Sequence, residues 1–141
     1  MSRVTRARVV VDDAVVGELT APGLLVLLGV HRDDDPAPDG DAVTRMARKL
    51  HELRLLRDDA SCAGTGAGLL VVSQFTLYGD TRKGRRPSWS GAAAPERARG
   101  VVDAVVAALR GRGAHVGEGV FGADMAVESV NDGPFTVVVE T

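Results

Sequence analysis

Hydrophobic positions in this chain recur with two different periods, and the changes between them mark out its elements. Near the start, Ala7, Val9 and Val11 alternate with Arg6, Arg8 and Val10, a period of two that predicts a strand with one face on a core. Asp12-Asp13 follows as a turn and Ala14 to Leu19 as the returning strand. The first residues therefore read as structure and not as an arginine-rich transit peptide. Gly23 opens the run Leu24–Val30, which has no polar position and predicts a strand covered on both faces. The acidic stretch Asp33, Asp34, Asp35 and Asp39, with Pro36 and Pro38, predicts a loop. Beyond it Val43, Met46, Ala47, Leu50 and Leu53 step by three and four, the buried stripe of a helix that Asp39 or Asp41 can cap.

From Arg57 to Gly68 the residues become small and glycine-rich, predicting a flexible or tightly turning connection in which Cys62 is an incidental thiol. Leu69 to Ser73 reads as a strand, and Gln74 to Ala94 as a long functional loop. Pro95 suits the first position of a second helix, whose stripe is Ala98, Val101, Val102, Val105, Ala108 and Leu109 and whose stop is Gly111 or Gly113. Ala123 to Val130 alternates, Phe135 to Glu140 is β-branched, and Asn131-Asp132-Gly133-Pro134 joins them. The pattern gives two helices among about seven strands.

Composition narrows the class. With 141 residues, 17 Lys+Arg against 19 Asp+Glu and a net charge of −2, the expectation is one slightly acidic globular domain over residues 1–141. An apolar fraction of 45% and a charged fraction of 26% exclude disorder and collagen-like repeats. No apolar run approaches the roughly 20 residues that span a bilayer. One cysteine supplies neither an intrachain disulfide nor a cysteine metal cluster, which suits a reducing compartment. Against the acidic whole, Arg82, Lys83, Arg85 and Arg86 crowd one loop between Tyr78 and Trp89. Such a run is either a solvated face or a site for a phosphate-bearing ligand, nucleic acid included.

Several apparent motifs lack their context. Gly117-Glu118-Gly119-Val120-Phe121-Gly122 matches the dinucleotide fingerprint, but an alternating segment follows where a helix is required. His31, His51 and His115 have no metal-ligand spacing, and no nucleophile elbow surrounds Ser73. A hydrolase built from this chain would cleave a labile ester through oriented backbone N–H donors and positioning. Gly133-Pro134 reads either as a tight turn or as a cis bond that presents carbonyl groups to a ligand.

Two spaced segments carry a resemblance. Val72-Ser73-Gln74-Phe75-Thr76-Leu77-Tyr78-Gly79-Asp80, with Arg85-Arg86-Pro87-Ser88 after it, resembles the S-Q-x-x-L region of the D-aminoacyl-tRNA deacylases. Phe121-Gly122-Ala123-Asp124-Met125 and Asn131-Asp132-Gly133-Pro134-Phe135-Thr136 resemble that family's F-x-A-D-M and N-x-G-P-x-T segments. The resemblance implies a compact α/β fold in three layers, helices over two β-sheets, barrel-like and homodimeric. It implies a cytoplasmic enzyme that hydrolyses the ester of D-aminoacyl-tRNA, and glycine mischarged onto alanine tRNA, with no metal or cofactor and with neither DNA nor a membrane as partner. Gly133 and Pro134 match the cis pair that reaches into the partner's site and rejects L-amino acids. Ser73, Gln74, Phe75 and Thr76 match the segment lining the ester. Thr76 matches a proposed nucleophile, but the sequence shows no base for it, which favours backbone donors with help from the ribose 2′-hydroxyl. Phe121 and Met125 match residues around the terminal adenosine and aminoacyl group, with Asn131 and Thr136 as further substrate-binding positions and Arg82, Lys83, Arg85 and Arg86 as contacts to tRNA phosphate. Two departures stand out: a first strand expected to be short, and Ser61-Cys62-Ala63-Gly64 where relatives carry K-M-N. The competing classes are a non-catalytic nucleic-acid binding module and a purely structural homodimer.

Overall fold

A computed structural model describes residues 1–37 and 40–141. Strand β1 (Ser2–Val11) returns as β2 (Ala14–Leu19) through Asp12 and Asp13. Both aspartates have positive φ, 48° and 61°, the left-handed pair that a two-residue hairpin turn of type I′ requires. Strand β3 (Gly23–Leu28) follows, then α1 (Asp41–Glu52), a 3₁₀ turn at Arg57–Asp59 and the one-turn helix α2 (Cys62–Thr65). After β4 (Leu69–Ser73) come a second 3₁₀ turn at Phe75–Tyr78, the long helix α3 (Pro95–Gly111), β5 (Val116–Glu118) and β6 (Ala126–Thr136).

The strands form one sheet in the order β2-β1-β3-β4-β5, with β6 also paired to β1. Ala7 to Val11 of β1 pair with β2, Ser2 to Val4 pair with β3, and β6 runs antiparallel along most of the strand. The register with β6 shifts between Val4 and Arg6. Thr5 and Arg6 both face solvent there, while Val4, Ala7 and Val9 are buried, so the inward positions change parity across a bulge. The β3–β4 and β4–β5 pairs are parallel. The sheet curls until its ends nearly meet: a Cβ on Gly17 of β2 would stand 2.1 Å from the Glu118 carbonyl oxygen of β5.

Two cores result. Leu24, Val26 and Leu28 of β3 and Leu69 and Val71 of β4 pack against Val43, Ala47 and Leu50 of α1 and the Val101-to-Leu109 face of α3. On the opposite face, Leu25, Leu70 and Val72 join Val4, Ala7 and Val9 inside the curled sheet. The three-layer α/β arrangement, helices over a barrel-like double layer of strands, is the one the resemblance implied. No helix among the described residues is long and apolar enough to cross a membrane.

Local departures from the sequence reading have physical causes. The first strand is not short: it takes ten residues from Ser2, because β3 and β6 supply ladder partners for Ser2 to Val4. The α1 cap is Gly40, without a side-chain cap bond. Asp41 lies in the first turn and pairs with Arg45 at 3.1 Å, and Asp39 lies outside the described residues. Leu53 ends α1 and is exposed. The glycine-rich connection is ordered by Ser61, whose Oγ accepts from the Gly64 N–H at 3.1 Å. That turn buries Cys62 completely, so the thiol is a core residue, and burial pushes its pKa up to about 11. Six strands form among the described residues, with β5 unforeseen, and Phe135 to Glu140 is not a strand of its own, because β6 runs on to Thr136.

The meeting of β2 and β5 yields a paired test. Gly17→Ala drives a methyl into backbone and should cost about 2 kcal/mol or more. Gly111→Ala, at the open end of α3 with no atom within 4 Å of the new Cβ, should gain up to about 1 kcal/mol. Thermal melts of the two variants check the opposite signs.

Candidate active site

Ser73 ends β4, and the chain then turns off the sheet. The Gln74 N–H donates to the Leu28 carbonyl at 2.8 Å, anchoring the following 3₁₀ turn to the end of β3. Within it the Leu77 N–H donates to the Gln74 carbonyl at 3.3 Å and the Gly79 N–H to the Thr76 carbonyl at 3.0 Å. The N–H groups of Phe75 and Thr76, at the start of the turn, have no acceptor among the described residues. Leading N–H groups of a helical turn are oriented and unsatisfied, which suits them to a developing negative charge. The Gln74 side-chain amide donates to Thr76 Oγ1; no histidine or carboxylate bonds that hydroxyl among the described residues.

Ser73 and Phe121 line the same cavity of about 220 Å³, between β4, the end of β5 and α3. Its wall includes Gly119, where a Cβ would come within 2.7 Å of Met125 Sδ. Met125 is thereby pressed against the glycine and the inner sheet core. The fold so collects Ser73, Phe121 and Met125, from segments some fifty residues apart in sequence. The wall also carries Arg99, Asp103 and Glu118, which sequence reasoning missed; the i, i+4 spacing of Arg99 and Asp103 on α3 was the available signal. A larger hollow of about 610 Å³ runs along the β2–β1–β6 ladder and holds none of the expected site residues.

Of the expected site residues only Ser73 and Phe121 are in the wall of the smaller cavity; Gln74, Phe75, Thr76, Met125, Asn131, Gly133, Pro134 and Thr136 are not. Five residue steps along β6, from Asn131 to Thr136, are matched by only two along β1, from Val4 to Ser2, so the intervening residues bulge out as an exposed loop whose Gly133–Pro134 bond is cis. Asn131 Nδ2 donates to the Arg3 carbonyl at 2.8 Å, and Thr136 Oγ1 lies 2.9 Å from Ser2 Oγ. Asp132 holds the loop down: Arg57 donates to its two carboxylate oxygens at 3.0 and 2.6 Å, and Arg3 Nε lies 3.2 Å from Oδ2. Arg3 also donates to the Asp132 carbonyl at 2.9 Å and stacks 4.3 Å from the centre of the Phe135 ring. This clamp too was not read from the sequence.

The basic loop has a closed base. Asp80 and Ser88 exchange backbone hydrogen bonds at 2.8 and 2.9 Å. Arg82 folds back on Asp80 through two guanidinium bonds at 2.9 and 2.6 Å, while Lys83, Arg85 and Arg86 are exposed and make no ion pair among the described residues. Beside them Phe75 and Trp89 meet edge to face, with ring centres 5.4 Å apart.

Two predictions follow from these charges. Hydrogen bonds from the Arg82 side chain pull the Asp80 carboxyl down to about 2. The anchored loop base should thus persist above the ordinary carboxylate range and be lost as pH falls through about 2. A carboxyl NMR titration of Arg82→Ala should return the Asp80 midpoint toward about 3.9. In the clamp, the Arg3 side chain is 8% exposed and that of Arg57 71%. Asp132→Ala strands the buried guanidinium and should cost about 3 kcal/mol, whereas Arg57→Ala should cost under about 1 kcal/mol. Denaturant melts that gave equal losses would contradict this division.

With the geometry in view, the likeness to known proteins is specific. The family model described as D-Tyr-tRNA(Tyr) deacylase matches residues 1–140. A D-aminoacyl-tRNA deacylase of Beutenbergia cavernae is 57% identical over 99% of this chain and 96% of that protein. One of Acidothermus cellulolyticus is 56% identical over the same shares. Among solved structures, the c-Myc DNA Unwinding Element Binding Protein superposes with a TM-score of 0.88 at 33% identity, over 99% of this chain and 95% of that one. A probable eukaryotic D-amino acid tRNA deacylase superposes with a TM-score of 0.80 at 18% identity, over 94% and 92%, a likeness of fold. The chain belongs to the D-Tyr-tRNA(Tyr) deacylase family.

Proposed function

We propose that this chain hydrolyses the ester joining a D-amino acid, or glycine on alanine tRNA, to the terminal adenosine of tRNA and leaves L-aminoacyl-tRNA intact. The observation that carries the reading is the convergence of Ser73 and Phe121 on one cavity, beside a 3₁₀ turn whose leading N–H groups are unengaged. An ester carbonyl set against the N–H groups of Phe75 and Thr76 would find fixed donors for the oxyanion, with no reorganisation at the moment of reaction. The hydroxyl of Thr76 is engaged by an amide and not by a base. That favours water attack assisted by the ribose 2′-hydroxyl over a covalent intermediate on Thr76.

Chirality is read by exclusion. The carbonyl groups around Gly133-Pro134 would leave room at the α-carbon for hydrogen but not for an L side chain, so the identity of the side chain scarcely enters and glycine passes. The loop is exposed and absent from the cavity wall of its own chain, which supports a homodimer in which each copy completes the other's site. Phosphates of tRNA meet Lys83, Arg85 and Arg86, with Arg82 as a further contact that also orders the loop.

Release of labelled tyrosine from D-Tyr-tRNA and L-Tyr-tRNA, with a chelator present, tests this. The expected result is multiple turnover of the D-ester alone. Equal cleavage of both would remove the exclusion argument, and binding without cleavage of either would leave a nucleic-acid binding module.

A further inference from the structure

Arg99 has no role in the reading above, yet it occupies the cavity wall with Ser73 and Phe121. It stands on an exposed position of α3 with its guanidinium 5.8 Å from the centre of the Phe121 ring. Among the described residues it makes no ion pair. This is unusual for its setting, since Asp103 lies one helical turn on, at the spacing where Arg and Asp commonly join. Both side chains instead line the cavity. The third charged group there, Glu118, is taken by Arg110 at 2.6 Å. The wall thus offers one uncompensated guanidinium near an aromatic ring and one uncompensated carboxylate, Asp103.

That pattern fits a nucleotide. A base can stack on the Phe121 ring, and stacking on one aromatic side chain is worth about 1–3 kcal/mol. A guanidinium matches the paired oxygens of a phosphodiester and keeps its charge at every working pH. Asp103 repels phosphate, so among the described residues of the wall Arg99 is left as the anion-binding group.

We infer that Arg99 binds the phosphodiester immediately preceding the terminal nucleoside of the RNA. The inference rests on the proposed function in taking this cavity as the seat of the acceptor end. A contact remote from the scissile ester is made equally in ground and transition states, so its loss should raise KM and spare kcat.

The test uses a short RNA ending in a 3′ adenosine and the same RNA one nucleotide shorter, which lacks that adenosine and its phosphate. The wild type should prefer the longer RNA. Arg99→Ala should weaken binding of the longer RNA about tenfold, as loss of one hydrogen-bonded charge contact does, and leave the shorter one unchanged. The slope of log affinity against log salt should fall by about one for the longer RNA, and Arg99→Lys should restore the slope. With D-Tyr-tRNA the same variant should raise KM by a similar factor at unchanged kcat. A wild type that does not distinguish the two RNAs, or an Arg99→Ala variant that loses equally on both or on neither, overturns the inference. Failure of the wild type to cleave D-Tyr-tRNA would strike the deacylase reading, while the two RNAs would still decide the role of Arg99.

Discussion

Apart from Leu27, the apolar side chains of the parallel strands β3 and β4 are covered on both faces, and the rest of the molecule is arranged to provide that cover. Leu24, Val26, Leu69 and Val71 demand an apolar layer on one side, which α1 and α3 supply. Leu25, Leu70 and Val72 demand one on the other, which β1 and its partners can supply only by curling beneath them. With each buried large aliphatic side chain worth about 1.5–3 kcal/mol, neither layer is optional. The cover ends where the strands end. Beyond Leu28 and Ser73 the backbone leaves the ladder, and the open N–H groups of the 3₁₀ turn lie at that boundary, at the carboxyl ends of parallel strands where open α/β sheets commonly place ligands.

Charge is deployed in three ways on this nearly neutral chain. Arg3 is buried against Asp132 and the Phe135 ring, where it fixes a loop. Arg82 is spent on Asp80 and fixes the base of another. Lys83, Arg85, Arg86 and Arg99 remain uncompensated among the described residues, on the loop beyond Ser73 and on the cavity wall. Other basic residues tie regular elements together, as Arg8 does with Glu128 across β1 and β6 and Arg110 with Glu118 between α3 and β5, a deployment that a sum of charges does not reveal.

The sequence discloses most of this fold where period and burial coincide. The run Leu24–Leu28, the Val43-to-Leu50 stripe of α1, the stripe of α3 and the Asp12-Asp13 turn are each dictated by local chemistry, while Gly29 and Val30 lie beyond β3 and Leu53 caps α1 in solvent. It discloses less where long-range pairing decides. Val116–Glu118 is three residues with two glycines nearby, and it is a strand only because β4 offers a parallel edge. Ser2 to Val4 extend β1 because two other strands reach them. Cys62 was unreadable as core, since its burial depends on the Ser61 cap and on helices distant in sequence. At the site, the motif segments were visible as strings of letters. The Asp132 clamp and the pairing of Arg99 with Phe121 were not, because each joins residues more than twenty positions apart.

The bulge in β1 has a consequence for how such chains vary. The register of Ser2 to Val4 is set by β3 and by Thr136 and Asn131, whereas that of Arg6 to Val10 is set by β2 and the first half of β6. Thr5 and Arg6 absorb the mismatch between these two independent registers with their side chains in water. Their number is therefore fixed by the two registers. One residue more or fewer would turn Val4 outward, or Ala7 and Val9 with it. Across related sequences this stretch should hardly change in length.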